Sequence, residues 1–356
     1  MRHVAWRPLV MLMVCGVCGY IFEVAAASSN AMTARAYVSN EDGESVSVLD
    51  SESATNIATI DVGKRPRGMK LSHDGSRLFI AVSGLPKCPP SVPDEECAKL
   101  ERDLKADGIA VMDTRSHKVI KVLAAGSDPE QFAMSNDGKR LYVANEDVGT
   151  LSVVDVEAGK VIERIKVGLE PEGVAMSPDG RWVLVSNESG SSISVIDTAT
   201  LKVTKTVPVG KRPRDMAFGP DGDTVYVSGE MDASLNRMSI KSNEPGQRLL
   251  QLREETRPMA VVLDAARNRL YLSTGRGGTI AVIDIKDAPR AVQLIKEVPV
   301  GKRPWGIALS ADGRHLYTAN GPSNDVSVID TTTLAEVKRI PVGKSPWGVV
   351  LGPAPR

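Results

Sequence analysis

The chain is poor in the residues that most catalytic and metal-binding chemistry uses. Of its 356 residues only four are histidine and four cysteine, and aromatic residues make up 4%. Three histidines, His73, His117 and His315, lie beyond the first 27 residues, and the repeat set out below places all three at turns of one face. A histidine-rich zinc or copper centre, a histidine-ligated haem and a Ser-His-Asp triad therefore lack convergent imidazoles on the opposite face. No Gly-x-Ser-x-Gly elbow and no Walker-type phosphate loop occurs. Net charge is missing as well. The 44 basic residues balance 44 acidic ones, so nothing in the total draws the chain to nucleic acid or an anionic membrane. No apolar run approaches the ~20 residues that a membrane-spanning helix needs.

The longest apolar run, over 9–22, follows Arg2 and Arg7 and is followed by Ala25-Ala26-Ala27. Basic start, apolar centre and small residues form the pattern of an export signal, predicted over 1–27 with the mature chain beginning at Ser28. A periplasmic or extracellular location follows. Cys15 and Cys18 fall inside that signal, which leaves Cys88 and Cys97. In an oxidising compartment these two are expected to pair, stabilising a short loop by about 2–3 kcal/mol. Thiol titration of the unfolded, unreduced mature protein should then find no free thiol; two reactive thiols would refute the pairing.

What the chain has in abundance is repetition. Residues 171–210 read as four short β-type phrases: Pro-Glu-Gly-Val-Ala-Met-Ser-Pro-Asp-Gly, Arg-Trp-Val-Leu-Val-Ser-Asn, Ile-Ser-Val-Ile-Asp-Thr and Val-Thr-Lys-Thr-Val-Pro-Val-Gly. Val-Gly endings recur at Gly63, Gly168, Gly210, Gly301 and Gly343, with Ala125-Gly126 as a weaker copy. Asp-Gly turns recur at Gly75, Gly138, Gly180, Gly222 and Gly313, where glycine accepts the positive φ of a tight hairpin. Three Val-Gly intervals are 42 residues, while that from Gly63 to Gly126 is 63. The surplus of 21 is an insertion over about 85–107 that carries both cysteines. The copy over 257–301 is degenerate, with Arg267-Asn268 in place of Asp-Gly.

Counting second and third strands gives seven copies. The first begins in mid-repeat at Ala36-Tyr37-Val38-Ser39-Asn40, and the chain finishes with a lone first strand from Pro346 to Leu351. Together they complete one blade. Closing a ring removes the exposed edges of a linear array, so residues 28–356 are predicted to form one all-β, seven-bladed propeller of four-stranded blades.

With Tyr142-Val143-Ala144-Asn145 and Tyr317-Thr318-Ala319-Asn320, the chain resembles the YVTN-repeat propellers over nearly all of its mature length. Asp107-Gly108-Ile109-Ala110-Val111 after the insertion is similar to an exported subgroup associated with quinoprotein (PQQ-dependent) alcohol catabolism. The resemblance implies the fold and carries no general set of catalytic residues, and related seven-bladed folds include sugar lactonases and haem d1 propellers.

Function is expected on the face opposite the uniform Asp-Gly hairpins, where the loops vary and the insertion emerges. There each innermost strand offers one residue after proline to the channel mouth: Arg67, Glu130, Glu172, Arg214, Met259, Trp305 and Trp347. Lys64-Arg65, Lys211-Arg212, Arg257, Lys302-Arg303 and Lys344 stand just before them. Guanidinium forks and indole faces could hold an anionic or planar ligand; the blander alternative is loop filler and a plugged channel. Further out, Glu41, Glu146, Glu188 and Glu230 could bind a cation or pair with the nearby Lys and Arg residues, and the blander reading is solvated ion pairing. The first expectation is a non-enzymatic binding module for a periplasmic protein or small anionic ligand, without cofactor. The alternative is a lactonase-like hydrolase using Glu130 and Glu172 with a divalent cation.

Overall fold

In the computed structural model the described residues are Met1, 34–87, Glu96 and 99–353. The export signal expected over 1–27, apart from Met1, and Cys88 and Cys97 lie outside them. The rest forms seven four-stranded antiparallel sheets arranged as a β-propeller. Blade 1 joins 34–61 to the C-terminal strand; blades 2 to 7 span 69–123, 129–166, 171–208, 213–251, 261–299 and 304–341. Closure occurs in blade 1, where Ala34–Asn40 pairs with Pro346–Pro353 and sets Tyr37 opposite Val350 and Val38 opposite Val349. No helix among the described residues is long and apolar enough to cross a membrane.

The repeat phrases fold as their chemistry dictates. In the hairpins joining strands one and two, Gly180 takes φ 72° while Asp179 accepts bonds from Ser177 Oγ at 2.5 Å and the Arg181 amide at 3.0 Å. In the degenerate sixth blade Asn268 adopts φ 51° in place of the missing glycine, a conformation asparagine tolerates better than most residues. The Asn that ends strand two is fully buried and ties it to strand three. Asn187 donates to Ser194 Oγ at 3.0 Å and accepts from the Gly168 amide at 2.9 Å; Asn145 donates to the Ala125 carbonyl at 2.9 Å and accepts from Ser152 Oγ at 2.6 Å. Such internal satisfaction is what makes a buried amide affordable.

The apolar core lies between blades. Blades 2 and 3 pack through Phe79, Ile109, Phe132, Leu141 and Val143, and equivalent clusters fill each neighbouring contact. Strands two and three are buried on both faces, whereas the outer fourth strands alternate, as in Lys202–Pro208.

Candidate functional site: a charged and aromatic layer across the channel

Seven Pro-X steps stand at the start of the inner strands, and in five of them a local irregularity aims X into the channel. In blade 4 Pro171 pairs with Asn187 and Val174 with Val185, so Glu172 and Gly173 together oppose Ser186 alone. The same register shift occurs at Glu130, Arg214, Trp305 and Trp347. Bulges of this kind re-aim side chains at functional sites. Glycine after X permits close approach of the next strand: a Cβ on Gly173 would lie 2.2 Å from the Arg214 carbonyl oxygen. Serines of strand two pin the layer from the neighbouring blade, with Ser39 donating to the Arg67 carbonyl at 2.7 Å, Ser186 to that of Arg214 at 3.0 Å and Ser273 to that of Trp305 at 2.5 Å. These serines escaped the sequence reading, although their recurrence at one position of strand two was the available signal.

The sequence-predicted residues form one layer with two unlike halves. Around the ring, Arg67, Glu130, Glu172 and Arg214 make a charged arc, and Met259, Trp305 and Trp347 complete it. Arg67 bonds Glu130, Asp128 at 2.5 Å and the Pro129 carbonyl at 2.9 Å. Arg214 bonds Glu172 and Glu230, the latter at 2.7 Å, and lies against Glu188. The Trp305 and Trp347 rings sit 5.8 Å apart, tilted by 33°, with Arg214 and Arg303 over the Trp305 ring at 5.6 and 4.7 Å.

The rim carboxylates differ from their expected solvated state. Glu41 and Glu188 are 7% and 1% exposed, because guanidiniums fold onto them from the neighbouring loop. Arg65 reaches Glu41 at 2.9 Å, and Arg212 reaches Glu188 at 2.6 Å and Glu230 at 3.2 Å. Arg65, Arg212 and Arg303 each precede the proline at φ 43–55°. Glycine would suit that left-handed conformation better, so the strain is tolerated where a side chain must reach the rim. The insertion is fastened to the same rim by Lys87 to Glu41 at 3.0 Å, Lys64 to Asp103 at 2.9 Å and Arg102 to Asp147 at 2.6 Å.

Crowding of acids shifts their protonation. Burial pushes the Glu172 carboxyl up to about 7 against the pull of Arg214, with Glu146 and Glu230 adding to the rise. Burial also raises Glu130 well above the carboxylate range; Arg67 opposes this, and Glu146 and Glu172 reinforce it. Asp128 would rise on burial too, but Arg67 and Ser83 hold it below its usual value. The carboxylates are committed to guanidiniums, and among the described residues no three His, Cys, Asp or Glu side chains converge to hold a metal ion. The donor set does not fit the divalent cation of the hydrolase alternative.

Behind the layer lies a cavity of about 500 Å³, walled by the inner strands and capped by Glu172, Arg214, Trp305 and Trp347. At its far end stands His73, exposed on the hairpin face, beside half-buried Leu71, Met134 and Phe218. Arg67, Glu172 and Trp347 are only 2%, 3% and 7% exposed. The chamber thus meets solvent on the hairpin side, which the sequence reading passed over as uniform.

Two family descriptions match parts of the chain: "Lactonase, 7-bladed beta-propeller" over residues 200–349 and "Cytochrome D1 heme domain" over 100–234. No curated protein matches in sequence. Among solved structures, a chain of Kuenenia stuttgartiensis hydrazine synthase is 22% identical, with 83% of this chain and 92% of that one covered and a TM-score of 0.70. The periplasmic gluconolactonase PpgL of Pseudomonas aeruginosa is 18% identical, with 90% and 99% covered and a TM-score of 0.73. Dihydro-heme d1 dehydrogenase NirN, solved with DHE, is 17% identical, with 89% and 74% covered and a TM-score of 0.62. At these identities the likeness is one of fold.

Proposed function

We propose that the protein is a lactonase-like hydrolase acting on a small lactone held in the chamber beneath the layer. The observation that carries this reading is Glu172, a buried carboxyl poised at about 7 in the cap of a 500 Å³ cavity, beside Arg214 and across from paired indoles. The seven-bladed lactonase match over 200–349 and the fold shared with a gluconolactonase favour hydrolysis over the binding module expected first from the sequence.

A general base works best when its pKa lies near the working pH. Ionised Glu172 takes a proton from water, and the hydroxide adds to the lactone carbonyl. Arg214 keeps Nη2 free of hydrogen bonds among the described residues, so it can stabilise the developing oxyanion. The ring C–O bond then breaks, and the departing alkoxide recovers the proton from Glu172. Lactone and water give a hydroxy acid, with no redox change.

Pure protein should open γ-butyrolactone or δ-gluconolactone faster than buffer does in a pH-stat, with kcat rising through about pH 7. Glu172→Gln should lower kcat by roughly 10²–10⁴-fold, while Trp305→Ala chiefly raises KM. A wild type no faster than buffer, or a Glu172→Gln variant at full rate, would sink the reading.

A further inference from the structure

The repeat itself marks a second polar site, deeper in the chamber than the layer. Two positions after each Pro-X proline, five of the seven copies carry glycine or alanine; the exceptions are Gln131 and Asp215. Four positions after it, six copies carry alanine or valine; the exception is Lys70. All three exceptions line the same cavity. Repeats that keep the wall small and apolar elsewhere therefore depart from it only where a polar group enters one enclosed space.

Lys70 and Asp215 come from blades 2 and 5, three steps apart in a ring of seven, and so face each other across the channel. Lys70 is solvent-accessible yet ringed by protein, because the solvent it meets is that of the chamber. Among the described residues no carboxylate lies within 4 Å of its ammonium; Asp215 acts on it only through space. Asp215 is held in place by the amides of Met216, at 2.8 Å to Oδ1, and Val261, at 3.1 Å to Oδ2. The protein packed round them lowers the Lys70 pKa and raises that of Asp215, and neither side chain has an ion-pair partner among the described residues.

We propose that this chamber binds a small zwitterion, an amino acid whose carboxylate meets Lys70 and whose ammonium meets Asp215, with Gln131 between them. A ligand carrying one charge of each sign supplies both groups with a counter-charge at once. A simple acid leaves Asp215 without a counter-charge, and an amine leaves Lys70 without one. The half-buried side chains and small wall residues around them suit a short, unbranched carbon chain.

Titration calorimetry on the full chain tests this with glycine, β-alanine, γ-aminobutyrate and δ-aminovalerate, each set against the hydroxy acid and the simple acid of its own chain length. One amino acid of the series should bind best, and its hydroxy acid and simple acid should bind at least about ten-fold more weakly. Lys70→Met and Asp215→Asn should each weaken it by a similar factor, while the unfolding midpoint, followed by circular dichroism, stays within a few degrees of wild type. The proposal is overturned if no amino acid binds at 10 mM, if the hydroxy acid of the same length binds as tightly as the best amino acid, or if either variant binds like wild type. Binding is read without turnover, so it stands or falls separately from hydrolysis.

Discussion

Arg67→Met should cost about 3–5 kcal/mol of unfolding free energy at pH 8, the penalty for breaking a buried ion pair and stranding its partners. Arg67 is 2% exposed and faces Asp128 at 1% and Glu130 at 7%. Its removal leaves Asp128 only the Ser83 hydroxyl, at 2.6 Å, as a side-chain partner, and leaves Glu130 beside Glu146 and Glu172 without an opposing charge. Neutralising one stranded group should relieve the damage, since an apolar pair often matches a buried ion pair in stability. Arg67→Met/Glu130→Leu should therefore recover part of the loss, and the single variant should suffer less as the pH falls, because burial already favours the proton on Glu130. Urea midpoints at pH 5 and pH 8 decide the matter. A loss under about 1 kcal/mol at pH 8 would mean that water reaches the cluster and screens it.

Glu172→Gln should flatten the pH dependence of stability between about pH 4.5 and 7. The folded carboxyl holds its proton up to about 7, whereas in the unfolded chain it releases it near its ordinary value of 4.5. Across that window the native state binds more protons than the unfolded state, so stability falls as pH rises and levels off above the folded pKa. A shift of that size corresponds to about 3 kcal/mol. The surface aspartates, such as Asp74 at about 2, titrate below the window, whereas Glu130 and Asp215, also raised by burial, add a slope of their own. The difference between wild type and variant is therefore the quantity to measure, by urea unfolding at half-unit steps. Parallel curves would show that Glu172 is ionised at its ordinary value. The variant is also expected to remain folded at pH 7 and above, which keeps the activity test interpretable.

Particular residues show how far the sequence carried the structure. Gly180 and Asn187 announced the hairpin and the end of strand two, because each fills a backbone role open to few side chains. Tyr37 at one end and Val350 at the other announced ring closure, because three strands at one terminus and a lone strand at the other each leave an unpaired edge. The proline before Glu172 marked the layer itself. Less was legible at the rim, where Glu188 read as a solvated acid and is 1% exposed. Its burial depends on the left-handed turn at Arg212, which no local pattern announces. Lys70 and Asp215 went unnoticed, since each is an ordinary charged residue in its own copy.

The sequence alone determined the blade count, the strand order, the closure and the identity of the seven residues crossing the channel, because these follow from local turn chemistry repeated at a fixed interval. Only the tertiary structure decided that the layer caps a chamber open at the hairpin face, that its acids are desolvated enough to hold protons near neutrality, and that Lys70 faces Asp215. Those properties depend on distances through space between blades, which a repeat fixes in angle but not in depth or solvent access.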